Sequence, residues 1–414
     1  MNDKNIFTND FINKLFDDSV ELLPSVTELF EFELAFLEYN SLNTKDLIKR
    51  AAYIKSINGN VTDHFKANTF KPLFEILSKA SKTKTYFEDG LFSTGYATHS
   101  LFPYRGKFHP QLIKSILNII DIKKGELVLD PMCGSGTTNI EAALLGINSV
   151  AVDIGPFCRL MTKTKFESLK SNREELQQLL KKQDTLFNFF ASNKKYDLKK
   201  NNQIFESESN YYLTLLAFLD SMGYFARTKS SSHKELFSRV LERYIYTVLN
   251  YLENPFYDKE NLGDVIISKE STALAIKYED NFFDGIITSP PYSFAIDYAS
   301  NDKNQLEYLG IDVEKLKEKM IGLRGRNKIE RLNNYFEDMK TVCTEIARVL
   351  KLNKFAVIII GSNTNQTGGI RLEDKIIDFC ESAKLKLVKS IVKPIRGMRN
   401  TMKEEYILFL KKMV

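Results

Sequence analysis

The sequence predicts an α/β fold, a largely parallel sheet with helices on both faces, and three stretches carry that expectation. In Leu127-Val128-Leu129-Asp130-Pro131-Met132-Cys133-Gly134-Ser135-Gly136-Thr137-Thr138 an apolar run ends in an acid, passes a glycine-rich turn and enters a helical pattern. That pattern continues through Ile140, Ala142, Ala143 and Leu144, with Gly146 placed to terminate it. Ser149-Val150-Ala151-Val152-Asp153 is a second short strand that also ends in an acid. Asp284-Gly285-Ile286-Ile287-Thr288-Ser289-Pro290-Pro291-Tyr292 is a third, running straight into two consecutive prolines. Short apolar strands alternating with helical patterns are the mark of βαβ units.

Each stretch has a chemical use. A strand, glycine turn and helix let a ligand approach the backbone closely, with helix N–H groups aimed at it. The dinucleotide fingerprint would need a third glycine after Gly136, which is missing. Asp153 lies 23 positions after Asp130, near the spacing at which an acid meets ribose hydroxyls in such units. In the third stretch the prolines fix their own φ and bias Ser289 toward extended geometry. The result is a stiff backbone carrying a hydroxyl, the Ser289 and Pro290 carbonyls and the Tyr292 ring. Such a group of acceptors beside a ring suits a planar molecule bearing an amine. An ordinary proline turn would use the same residues, but the two stretches in one chain point to a nucleoside ligand.

Together the strings DPMCGSGTT and TSPPY resemble those of S-adenosylmethionine-dependent amino-methyltransferases of the restriction–modification type, across residues 96–165 and 263–414. The resemblance implies a Rossmann-like class I methyltransferase sheet, with S-adenosylmethionine cradled by Asp130, Pro131, Met132, Cys133, Gly134, Ser135, Gly136 and Thr137. Asp153 would take the ribose, and Glu270 stands where relatives tend to have an aspartate near the adenine. The Lys107-Phe108-His109-Pro110 segment is similar to one that covers the methionine end, which marks Lys107, Phe108 and Pro110. Ser289, Pro290, Pro291 and Tyr292 would receive a base flipped out of double-stranded DNA. Family members with serine before the prolines mostly act on the 4-amino group of cytosine, those with Asp or Asn on adenine. A cognate restriction endonuclease is a partner that the resemblance allows. Three other readings stay open: an adenine 6-amino DNA methyltransferase, an RNA guanine 2-amino methyltransferase, and a non-catalytic specificity subunit. Intact Asp130, Gly134, Gly136 and Ser289 weigh against the last.

The rest of the chain carries less specific signals. Its 414 residues suffice for two or three packed units, and 43% hydrophobic content argues against disorder. A net charge of +5 is compatible with a polyanionic partner without requiring one. Cys133, Cys158, Cys343 and Cys380 are far apart, and the four histidines belong to no ligand-spaced cluster, which predicts a reduced, cytoplasmic chain without metal. No stretch has the length and apolarity of a signal core or membrane span. Residues 1–95 read as an N-terminal extension, mixed or mostly helical, where Leu29–Leu37 alternates Phe with Glu. A helix capped by Thr44 runs through Leu47, Ile48, Ala51 and Ile54 to Asn58-Gly59, with Lys49, Arg50 and Lys55 on a solvated face. Residues 96–165 and 263–414 form the two parts of the α/β domain. Residues 166–262 form a helical insertion and, with residues 1–95 and 293–335, a candidate for target recognition. Arg324, Arg326 and Lys328, and Arg396 and Arg399, sit in basic glycine-bearing loops suited to phosphate or base-edge contacts.

Overall fold

The structure, a computed structural model, describes residues 14–70, 95–104, 106–192, 204–227, 231–292, 297–361, 367–395 and 403–414. The chain opens with β1 (Val20–Leu22), α1 (Leu29–Ser41), α2 (Thr44–Arg50), β2 (Ile54–Ile57), β3 (Asn60–Val61) and α3 (Asp63–Thr69). The Phe/Glu alternation resolves as helix α1, because Phe30, Leu34, Ala35 and Glu38 fall on one buried stripe. Two boundaries differ from expectation. Asn43, not Thr44, caps α2 by accepting the Asp46 N–H at 3.0 Å. The helix ends at Arg50, and Asn58-Gly59, with φ of 48° and 77°, is the tight turn of the β2–β3 hairpin rather than a helix end.

Arg50 also departs from the solvated face expected of it. Its Nε donates to Asn118 Oδ1 at 2.8 Å and its Nη2 to the Ile122 carbonyl at 3.0 Å, so it ties α2 to the helix Pro110–Ile119. Beside it lies the fully buried Glu38 carboxyl, which accepts from Ala52 N at 2.9 Å, Tyr53 N at 3.2 Å and Asn118 Nδ2 at 2.6 Å. Burial raises Glu38 to about 7, against the pull of those donors.

Next come α4 (Pro110–Ile119), β4 (Leu127–Asp130), α5 (Thr137–Leu144), β5 (Asn148–Val152) and α6 (Pro156–Leu169). Four helices follow: α7 (Arg173–Lys181), α8 (Gln183–Ser192), α9 (Glu208–Arg227) and α10 (His233–Glu253). The sheet resumes with β6 (Val265–Ser268) and β7 (Phe283–Thr288). Three short helices stand before the long one: α11 (Tyr298–Asn301), α12 (Lys303–Tyr308), α13 (Val313–Lys317) and α14 (Lys328–Val349). The chain closes with β8 (Leu350–Gly361), α15 (Leu372–Ser382), β9 (Leu385–Pro394) and β10 (Glu404–Lys412).

Strands β4 to β10 form one sheet in the order β6-β5-β4-β7-β8-β10-β9. All neighbours are parallel except β10, which is antiparallel to both β8 and β9. Counted from β4, the order is 3-2-1-4-5-7-6 with a reversed seventh strand, the class I methyltransferase arrangement. From β4 the chain steps outward to β5 and β6, then returns to β4's other side as β7. That reversal makes a switch point, and in open α/β sheets the crevice beyond the carboxyl ends of the switch strands receives ligands. The glycine turn leaves β4 and the proline turn leaves β7 at that point.

The N-terminal elements are not a separate body. Phe30, Leu34, Leu47 and Ile54 share one core with Leu112 and Ile116 of α4 and with Val128, Ile287, Val357 and Ile407 of the sheet. The opposite face of the sheet packs on Tyr335, Met339, Val342 and Ile346 of α14 and on Ile376 and Cys380 of α15. Helices α7 to α10 bury their own cluster against Phe157 and Met161 of α6 and against Leu306 and Leu316 of the short helices.

Candidate active site

The glycine turn has room for a ligand because side chains are excluded from it. Gly136, at φ 79°, caps α5, and a Cβ there would lie 2.6 Å from Thr162. Gly134, at φ 50°, would place a Cβ 3.2 Å from the Tyr104 ring. An L side chain at either φ is strained as well as crowded. Asp153 fixes the turn from the end of β5: its Oδ2 accepts from Gly134 N at 2.9 Å and its Oδ1 from Gly155 N at 2.7 Å. Beneath the loop the fully buried Lys165 donates to the Ser135 carbonyl at 3.0 Å, and burial holds its pKa well below the usual lysine range. Burial likewise raises the Asp130 carboxyl to about 7, while the Thr138 hydroxyl, the Met132 N–H and the Thr288 hydroxyl pull it down.

Both turns open into one cavity of about 670 Å³. Pro131, Met132, Gly134 and Asp153 line it from the glycine side, and Ser289, Pro290, Pro291 and Tyr292 from the proline side. Lys107 and Phe108 line it from above. The Lys107 ammonium donates to the His99 carbonyl at 2.7 Å, and burial lowers it to about 8. His99 itself bonds Glu141 at 2.7 Å through Nε2, with both side chains buried. Among the described residues no group of three or more His, Cys, Asp or Glu could hold a metal ion.

Other members of the expected cofactor set stand behind the wall. Asp130 is buried at the end of β4, Cys133 faces Thr162 at 3.6 Å, and Thr137 begins α5. Ser135 meets Lys165 through its carbonyl, and Pro110 is buried at the first turn of α4. Glu270 does not reach the cavity. The chain turns after Ser268, and a Thr272–Ala275 bridge folds it back, so Thr272, Ala273 and Leu274 line the wall while Glu270 is exposed.

Of the expected nucleic-acid contacts, Arg324 lines the cavity and pairs with the buried Asp338 of α14. Arg326 and Lys328 are exposed outside it. Arg396 and Arg399 lie outside the described residues.

Several lining residues carry no motif signal. Tyr104 and Tyr298 stack at 6.1 Å with planes 20° apart, forming an aromatic wall together with Tyr292 and Phe108. Segment 298–324 supplies Asp302, Leu306, Leu316, Met320 and Ile321. From the last two strands come Lys393 and Glu405, which form an ion pair. Glu405 Oε1 accepts from the Tyr292 hydroxyl at 3.0 Å, and Ser289 Oγ donates to that same phenol oxygen at 3.3 Å.

The cavity fits S-adenosylmethionine on this chain's own features: a side-chain-free turn at a helix N-terminus, a carboxylate fixed beside it, and an aromatic, partly apolar wall. No described helix is long and apolar enough to cross a membrane. The family model for UPF0020 (RMKL-like, methyltransferase domain) matches residues 100–197. The type II methyltransferase M.BsoBI of Geobacillus stearothermophilus is 27% identical over 319 residues, 62% of this chain and 62% of that protein. M.MjaII of Methanocaldococcus jannaschii, another type II methyltransferase, is 31% identical over 144 residues, 34% of this chain and 24% of that protein. A tRNA (guanine(10)-N2)-dimethyltransferase of Methanothermobacter thermautotrophicus is 42% identical over 53 residues, 13% of this chain and 16% of that protein. The chain thus spans less than two thirds of each of these relatives. By strand order, glycine turn and matched domain, the chain carries the class I methyltransferase fold, and S-adenosylmethionine is the cofactor of its site.

Proposed function

We propose that this chain is a site-specific DNA methyltransferase acting on the exocyclic 4-amino group of a cytosine rotated out of the duplex. The observation that carries the reading is the meeting of the glycine turn and Ser289-Pro290-Pro291-Tyr292 in one cavity. The likeness to two type II methyltransferases supports DNA as the substrate, and serine before the prolines supports cytosine.

When bound, S-adenosylmethionine supplies a methyl group made electrophilic by its sulfonium. Pro131, Met132 and Gly134 would bed the cofactor, and Asp153 would accept from the ribose hydroxyls. An exocyclic amine is a weak nucleophile because its lone pair is delocalised into the ring. Ser289 Oγ and the Pro290 carbonyl would accept its two N–H groups, favouring a pyramidal nitrogen whose lone pair faces the methyl. Holding the two reactants in that alignment supplies roughly 7–11 kcal/mol of the barrier. No base is needed before attack: as the N–CH3 bond forms, the S–CH3 bond would break to leave a neutral thioether, and the methylated, cationic amine, far more acidic than the starting one, would then lose its proton to water. A base inside a duplex cannot enter, so it must leave the stack. The aromatic wall would replace part of the lost stacking, worth roughly 1–3 kcal/mol per base. Segment 298–324, which closes the cavity with Arg324 and Met320, is our choice for the base-side wall.

Mass spectrometry of nucleosides from the DNA of cells expressing the chain tests the reading. N4-methylcytosine is expected. N6-methyladenine alone would overturn the choice of base, and methylation confined to RNA guanine would overturn DNA as the substrate.

A further inference from the structure

The Ser289–Tyr292 pair does not end within its motif. It continues through Glu405, at the start of β10, to Lys393, the residue directly opposite on β9. Both Lys393 and Glu405 line the cavity, with side chains 24% and 18% exposed. We infer that Glu405, held by Lys393, is a positioning residue that sets the direction of the hydroxyl chain and so leaves Ser289 Oγ as an acceptor for the substrate amine. This inference rests on the function proposed above.

The protons along this chain are fixed in number. A carboxylate facing an ammonium has no proton to donate, so the Tyr292 hydroxyl must donate to Glu405 Oε1. The phenol keeps that proton, because burial, and then the neighbouring Glu405 charge, push its pKa well above the usual tyrosine value. With its own hydrogen committed, the phenol oxygen accepts from Ser289 Oγ. The single Ser289 hydrogen is thereby turned along the chain, and the remaining lone pairs of Oγ are left for the cavity. An exocyclic amine brings only N–H donors on its hydrogen side, so an acceptor-only serine matches it. A serine free to rotate would spend part of its time presenting O–H to N–H. Lys393 completes the device by occupying Oε2, which fixes the carboxylate rotamer and leaves Oε1 for Tyr292.

Glu405→Gln tests this sharply, because it keeps shape and removes the one-way polarity. The glutamine carbonyl would face Lys393 and its NH₂ would face Tyr292, reversing the chain so that the Ser289 hydrogen points at the substrate. Single-turnover methylation of a DNA duplex should slow about 10- to 100-fold, the cost of a mismatched hydrogen bond in a closed site. Calorimetric affinity for S-adenosylmethionine should stay within about twofold. In a Tyr292→Phe background the chain is already cut, so Glu405→Gln should add less than about twofold. Lys393→Met leaves the carboxylate in place and should slow transfer less than Glu405→Gln does. Unchanged transfer by Glu405→Gln, an equal loss in the Tyr292→Phe background, or a matching fall in cofactor affinity would each overturn the inference. Wild-type protein that methylates no DNA amine would overturn the proposed function and this inference with it. An active wild type matched by Glu405→Gln would overturn this inference alone.

Discussion

The two sides of the cavity are built by different means. The glycine side is made of main chain: Gly134 and Gly136 hold back side chains, while Asp153, 19 residues further on than Gly134, pins the turn through backbone N–H groups. The proline side is made of side chains in series, Ser289, Tyr292, Glu405 and Lys393, the last two over 100 residues from the motif. A surface of main chain can grip a cofactor common to many reactions without regard to the acceptor. A hydroxyl chain tuned by a distant ion pair can be fitted to one kind of acceptor. Cofactor binding and amine selection should therefore separate under mutation.

The largest effect that would sharpen this contrast is on the chemical step. Ser289→Ala should lower the methyl-transfer rate about 100-fold or more while leaving cofactor affinity within about twofold. A parallel fall in both, measured by single-turnover kinetics and calorimetry, would mean that the serine holds the fold and the two sides are one unit. Next in size is the reverse split. Asp153→Asn removes the charge facing the cavity and replaces an acceptor of the Gly134 or Gly155 N–H by a donor. Cofactor affinity should fall about 10- to 100-fold, with the rate at saturating cofactor changed much less. Undiminished affinity would break the ribose assignment.

The smallest effect on the reaction should come from the layer behind both turns. Glu38 is buried among Ala52, Tyr53 and Asn118, and its pKa is raised to about 7 from an ordinary value of 4.5. The sign is that of any raised carboxyl: its contribution to stability is full below about 4.5 and is lost as pH rises through about 7, on the order of 3 kcal/mol. Glu38→Gln lacks this titration, so the stability gap between wild type and variant should narrow between pH 5 and pH 8. Cofactor affinity should stay unchanged. Denaturant melts at the two pH values check it, and a constant or widening gap would contradict the assignment.

The same contrast explains what could be read from the sequence. Contiguous chemistry was legible: the strand–glycine turn–helix at Leu127–Leu144 and the strand–proline turn at Asp284–Tyr292 fall where their residues indicate, at adjacent strand ends. The Lys393–Glu405 pair was not, because its meaning arises only when β9 and β10 pair in register. The Glu270 segment was hard to read for a related reason: counting from the strand end finds a residue, but a local Thr272–Ala275 bridge decides which neighbours face the cavity. In the N-terminal part, Leu47 to Ile54 kept a helical period across a helix end and a strand start. Only the Asn58-Gly59 turn, a hairpin signal read as a helix terminator, could have corrected it.

The claim on which all this depends is that cofactor and acceptor amine meet in one cavity between β4 and β7. A crystal structure of the protein bound to S-adenosylmethionine tests it most directly. The account predicts ribose hydroxyls on Asp153, the adenosyl group beside Pro131 and Met132, and the methyl pointing toward Ser289 and Pro290. Cofactor seated elsewhere, or with its methyl turned away from the proline turn, would contradict it.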